Sequence, residues 1–192
     1  MHIALRSIAF LSLVILLFSP LFFFTAGVQH AFGSKEELKV VSHSHFIDKD
    51  GLFHVVGEVE NNIFGRVAED IKIYSVFHGQ EKSETVTTES APVFIDKLRP
   101  GERSPFSIVV EDPSDVRDIK GYHLTAISAN QSSISLAPAL KLRTNISEAQ
   151  INEDGIYHLA GNIVNYGSES ATKIVVAACF YDSNSTVIYT TY

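Results

Sequence analysis

The sequence predicts an all-β protein made of two-sheet antiparallel sandwiches, and three observations carry that prediction. Beyond residue 34, apolar and polar residues alternate with period two in short runs separated by turn signals. No long helical pattern occurs in that region. One pattern occurs twice, as "DGLFHVVGEVENN" (Asp50 to Asn62) and "DGIYHLAGNIVNY" (Asp154 to Tyr166).

The amino-terminal segment stands apart. Residues 7–28 contain no charge, and Arg6 precedes them. A positive residue before a long apolar run is the layout of an export signal. The run also approaches the roughly 20 residues that a bilayer-crossing helix needs. Residues 1–34 are therefore expected to form one apolar helix, a signal peptide or a membrane anchor. "AFG" at Ala31 to Gly33 suits signal peptidase, whereas the length of the run favours retention. Pro20 would kink such a helix without forbidding it.

Residues 35–138 read as one complete sandwich. Leu38 to Phe46 is the first expected strand. Asp50-Gly51 is a hairpin turn, since Gly accepts positive φ. In the next run Phe53, Val55, Gly57 and Val59 share one face, with His54, Glu58 and Glu60 on the other. The strand glycine marks a bulge or the close approach of a side chain from the opposed sheet. In the following run Ile71, Ile73, Ser75 and Phe77 face inward, and Lys72, Tyr74, Val76 and His78 face out. Short strands follow near Glu84 to Thr88, Ser107 to Val110 and Tyr122 to Ser128, with a Pro-Gly turn in "LRPGERSPF". "DPSDVRDIKGY" has room for a single helical turn at most. About seven strands in roughly 100 residues is the density of a two-sheet sandwich.

Residues 139–192 read as a partial second sandwich. Ile47 aligns with Ile151, Phe53 with Tyr157, His54 with His158, Gly57 with Gly161 and Asn61 with Asn165. One residue then drops out, and Ala68 aligns with Ala171, Ile71 with Ile174, Ile73 with Val176 and Phe77 with Phe180. A match of this length indicates internal duplication. The second copy stops near the counterpart of Thr88, so the chain is expected to be a fragment of a longer tandem array.

Quoted together, "FHVVGEVENN", "AEDIKIYSVFHG", "LRPGERSPFSI" and "YHLAGNIVNYGSESATKIVVAACFYDSNSTVI" resemble the FxLYD domain, an immunoglobulin-like β-sandwich module. The family pattern is V-x-G-x-V-x-N, then F-Y-D before a turn, then P-G-E and a Pro-Phe pair. "CFYDSN" in the second copy fits the F-Y-D element, and the first copy departs with "VFHGQ". The resemblance covers about residues 36 to 130 and 140 to 192. It implies an exported module, often one of several in tandem, and it implies no catalytic residue and no cofactor.

Charge and motif content narrow the function classes. The chain has 15 basic and 22 acidic residues; beyond residue 34 the balance is 14 basic against 22 acidic, a net −8. That excess argues against nucleic acid, whose binding rests on phosphate neutralisation. Cys179 is the only cysteine, which excludes an intramolecular disulfide, and its apolar run makes it a small core residue. His43 and His45 lie two apart on one strand, and with His54 they are the candidate ligands for a Zn²⁺ or Cu²⁺ site; Glu58 is a further candidate by strand adjacency. "DKDG" at Asp48 starts like a Ca²⁺ loop but has Leu52 and Val59 where oxygen ligands belong. Glu36-Glu37 and Glu111-Asp112 read as solvated charge. No P-loop, G-x-S-x-G or HExxH is present. Asn130, Asn145 and Asn184 head N-x-S/T sequons and are expected in turns or linkers, as glycan acceptors.

The reading is a non-catalytic protein, exported or membrane-tethered through its amino-terminal segment, with a structural or interaction role at the cell surface and a possible protein partner there. The alternatives are a surface metal-binding protein using the strand histidines, and an accessory domain of a larger enzyme.

Overall fold

The first strand and the repeat hairpin set the frame. The computed structural model describes residues 37–133, 142–151, 153 and 157–192. The expected export segment, with Arg6 and Ala31 to Gly33, lies outside the described residues, as do Glu36 and the second Asp-Gly turn at Asp154-Gly155. β1 (Leu38–Ile47) and β2 (Phe53–Asn61) form a hairpin, and β6 (Arg103–Val110) pairs with the other edge of β2. β3 (Arg66–His78) is the centre of a second antiparallel sheet. β4 (Thr85–Pro92) and the two-residue β5 (Lys97–Leu98) pair along one edge of β3, and β7 (Gly121–Ser133) pairs along the other.

Six of these seven strands follow the predicted order; the two-residue β5, beside the Pro-Gly turn, was not among the expected strands. The alternation also holds in detail. Ile71, Ile73, Ser75 and Phe77 are at most 1 % exposed, while Tyr74 and Val76 on the opposite face exceed 40 %. The inner faces of the two sheets share one core. Phe53, Val55, Val59, Phe106 and Ile108 from one sheet meet Ile71, Ile73 and Phe77 from the other, and the rings of Phe53 and Phe77 cross edge to face at 5.9 Å. The helical stretch is a six-residue α1 (Pro113–Asp118), longer than the single turn expected. Asp112 caps it: its carboxylate accepts from Ser114 N, and Pro113 opens the helix where no donor is needed. Ser114 thereby holds the Asp112 carboxyl below its usual range, so this exposed charge is also a helix cap.

Asn61, the last residue of V-x-G-x-V-x-N, joins two turns. Its side chain is fully buried. Nδ2 donates to Arg66 O at 2.9 Å and to Leu98 O at 2.8 Å, and Oδ1 accepts from Ile63 N at 2.9 Å. The Asn61 backbone meets the Pro-Gly turn as well, accepting from Gly101 N at 2.7 Å and donating to Glu102 O at 3.0 Å. The asparagine and the Pro-Gly-Glu motif, some forty residues apart in sequence, are thus one hydrogen-bonded junction that satisfies buried backbone groups.

Gly57 lies beside the bulge between Val40 and Ser42 on β1, one of the two expected reasons, but the side chain that approaches it does not come from the opposed sheet. A Cβ there would stand 2.5 Å from Ser42 O and 2.6 Å from Phe106 Cζ. Phe106 is the direct partner of Gly57 on β6, in the same sheet and not the opposed one. The aromatic ring lies across its cross-strand glycine because nothing else fills that place.

The carboxy-terminal part contains two further hairpins. β8 (Leu142–Ile151) pairs with β9 (Tyr157–Asn165), and β10 (Ala178–Tyr181) pairs with β11 (Val187–Thr191). The run containing Ile174 and Val176 is not a strand. Its ladder begins only at Ala178, and Ile174, Val175 and Val176 are exposed. β3 is held on both edges, whereas β10 has only β11 beside it among the described residues. Residues 171–177 pair with no strand among the described residues, so no ladder holds their backbone extended.

Candidate functional site

The histidines divide between two faces of the β1–β2 hairpin. His43 and His45 point to the side where β1 meets β7. His43 Nδ1 lies 2.9 Å from the Tyr122 hydroxyl, and the His45 ring stacks on Phe53 at 5.1 Å and meets Tyr122 edge-on at 5.5 Å. Burial, and then the nearby His45, lower the pKa of His43, so its ring favours the neutral form. His54 is on the other face: it stacks on Phe46 at 4.8 Å, and its Nε2 is 2.8 Å from Asp48 Oδ2. A site using all three imidazoles would have to pass through the sheet, so the expected triad is not assembled. The period of two separates even-numbered His54 from the Phe53 face that His45 stacks on. No group of three or more His, Cys, Asp or Glu that could hold a metal occurs among the described residues.

Asp48 is part of a turn. Its Oδ1 accepts from Asp50 N at 2.9 Å and Leu52 N at 3.0 Å, and Gly51 has φ +84°. The Leu52 amide, followed by His54, holds the Asp48 carboxyl below its usual range. Asp182, in "FYDSNST", does the same for Asn184 N and Thr186 N, with Ser185 at φ +63° in the place of the glycine. The third residue of F-Y-D is therefore a hairpin cap.

β2 is buried on both faces, which the alternation did not indicate. Val56, on the face assigned to polar residues, is 1 % exposed, and Glu58 is 7 % exposed. The cover is the β10–β11 hairpin. Val187 is fully buried there and its N–H donates to Ser42 Oγ, and Thr190 Oγ1 donates to Phe106 O at 3.1 Å. The one sequence signal was Val56 itself, a bulky apolar residue between His54 and Glu58.

Under that hairpin Glu58 has no hydrogen-bond partner for Oε2, and Arg103 Nη1 stands 3.9 Å away. Arg103 is committed through Nε to Glu60 at 2.7 Å. Burial, and then the Glu58 carboxylate, push the Cys179 thiol up to about 12. The same two causes raise Tyr181. A thiol held protonated is a poor nucleophile.

β9 carries an uncovered apolar face. Tyr157, Leu159 and Ile163 are 48 %, 43 % and 37 % exposed, with Ile174 and Val176 nearby in the chain and likewise exposed. The sequons are placed differently from the expectation. Asn130 is in β7, which runs on past the expected Ser128, and Asn145 is in β8; Asn184 is in a turn. Asn130 Nδ2 donates to Asp70 Oδ2 at 2.6 Å. No family model matches the chain, and no curated protein matches it in sequence.

Proposed function

We propose that this chain is an exported or membrane-tethered protein whose immunoglobulin-like sandwiches act as a non-catalytic interaction or structural module at the cell surface. The observation that carries the reading is the exposed apolar face of β9 beside a finished two-sheet body. An apolar sheet face of this kind serves contact with another surface.

Duplication is supported by register. Leu38 pairs with Asn61 and Ile47 with Phe53; Leu142 pairs with Asn165 and Ile151 with Tyr157, each residue 104 further along the chain. The bulge moves by two positions, from between Val40 and Ser42 to between Ile146 and Glu148. Asn165 repeats two of the three side-chain bonds of Asn61: Oδ1 accepts from Gly167 N and Nδ2 donates to Glu169 O, in a turn one residue shorter. Asn61 and Asn165, which end the V-x-G-x-V-x-N pattern of the FxLYD resemblance, hold a turn in both copies. Export rests on the uncharged run after Arg6.

Cell fractionation combined with protease treatment of intact cells tests the reading. The chain is expected in the membrane or exterior fraction, with residues beyond 34 accessible to protease. Intact, soluble cytoplasmic protein would overturn it.

A further inference from the structure

The three sequon asparagines are all exposed, yet their reacting groups are held differently. Asn130 lies in the β3–β7 ladder opposite Glu69. Its Nδ2 donates to Asp70 Oδ2 at 2.6 Å, and Ser132 Oγ donates to Glu69 Oε1 at 2.6 Å, so amide and hydroxyl are both committed. Asn145 lies in the β8–β9 ladder opposite Asn162, and Ser147 Oγ donates to Ala160 O at 3.3 Å. The third sequon, Asn184-Ser185-Thr186, is the tip of the β10–β11 hairpin. Asp182 carries that turn: Oδ1 accepts from Asn184 N at 2.9 Å and from Thr186 N at 2.8 Å, and its carbonyl accepts from Ser185 N at 3.1 Å. The turn is thus held through its backbone. Neither Asn184 Nδ2 nor Thr186 Oγ1 makes a hydrogen bond among the described residues.

We propose that Asn184, and not Asn130 or Asn145, is the N-glycan acceptor of this chain, the donor being an oligosaccharide carried on a lipid phosphate. Transfer uses the asparagine amide as nucleophile and reads the hydroxyl two residues on. An amide nitrogen shares its lone pair with the carbonyl, so the transferase has to reorient the group before it reacts. A side chain free at a hairpin tip allows that, and one fixed to a carboxylate beside a ladder resists it. In the step, Asn184 Nδ2 attacks C1 of the first sugar. The N–C1 bond forms as the C1–O bond to phosphate breaks, the lipid phosphate leaves with that electron pair, and the amide gives one proton to the transferase. The glycan then stands beside Ser185, which borders Val41 and Ser42 of β1 across a shallow hollow. This inference rests on the export proposed above and adds a modification site to it.

The test is peptide mass spectrometry of the full chain isolated from the membrane or exterior fraction of the cells that produce it. The peptide containing Asn184 is expected to carry the mass of a glycan, and the peptides containing Asn130 and Asn145 are expected at their unmodified masses. Asn184→Gln and Thr186→Ala should each abolish the modification, and Asn130→Gln should leave it in place. Thr186→Ala keeps the asparagine, so its effect separates sequon-dependent transfer from any other change at Asn184. The Asn184 side chain is exposed and makes no contact that the fold needs, so Asn184→Gln leaves the fold intact. An exported chain with Asn184 unmodified, a glycan on Asn130 or Asn145, or a modification that persists in Thr186→Ala overturns the proposal. Protease treatment of intact cells scores export separately. An exported chain without the glycan overturns this inference alone, whereas an unexported chain overturns both.

Discussion

Phe106 occupies the place that a side chain at Gly57 would need. The ring lies 2.6 Å from the Cβ that any other residue would put there, and Ser42 O lies 2.5 Å from it on the other side. The ring could rotate away, but the carbonyl belongs to the β1 ladder and cannot move without breaking it. Gly57→Val is expected to destabilise the fold by about 1–3 kcal/mol through overpacking. Thermal unfolding measures it, and an unchanged melting temperature would remove the argument.

Asn61 is expected to matter more than its counterpart. Asn61→Ala strips three hydrogen bonds at a fully buried position and leaves Ile63 N and Leu98 O without their partner. A loss of about 2 kcal/mol or more follows from orphaned buried groups. Asn165→Ala removes similar bonds at an exposed position, where water replaces them, and should cost well under about 1 kcal/mol. Denaturant titration of the two variants gives the comparison.

Acid should loosen the first hairpin. The Asp48 carboxyl is held below its ordinary 3.8 by the Leu52 amide and by His54. A depressed folded-state value means that the stabilisation is present above 3.8 and is lost as pH falls through the lowered value. Asp48→Asn should flatten this acid limb. Hydrogen exchange at Asp50 and Leu52 against pH reads it directly.

Cys179 should be slow to react. With its thiol raised from 9.0 to about 12, alkylation by iodoacetamide at pH 8 is expected to be roughly tenfold or more slower than that of a free thiol. The sign for stability is the reverse of Asp48. Packing of the protonated thiol under Glu58 contributes fully below 9.0 and is lost as pH rises toward about 12. Fast alkylation at pH 8 would show that the β10–β11 hairpin does not stay on β2.

The two halves should differ when separated. Residues 35–138 contain both sheets and the shared core and should melt cooperatively as a monomer. Their melting temperature should fall below that of the full chain, because Val56 and Glu58 lose the cover of Val187. Residues 139–192 have two hairpins and an open apolar face, and should show no cooperative transition. A cooperative monomeric melt of the short piece would contradict the duplication.

Local chemistry determined what could be read in advance. Alternation with period two assigns each residue to a face of its own strand, so the inward set of β3 and the Phe53, Val55, Val59 set of β2 were legible. Turn residues were legible because Asp-Gly and Pro-Gly carry their backbone preferences with them. The repeat was legible because it needs only comparison of the chain with itself. What lies against each face was not legible, since it depends on pairing between distant segments. The ring over Gly57 comes from the neighbouring strand and not the opposed sheet; Val56 and Glu58 are covered by a hairpin some 130 residues further on. The separation of His54 from His43 and His45 follows from the pairing of β1 with β2. The run through Ile174 and Val176 alternates like β3 yet does not extend, because a strand is made by its neighbours' hydrogen bonds, and only the tertiary structure decides which neighbours it has.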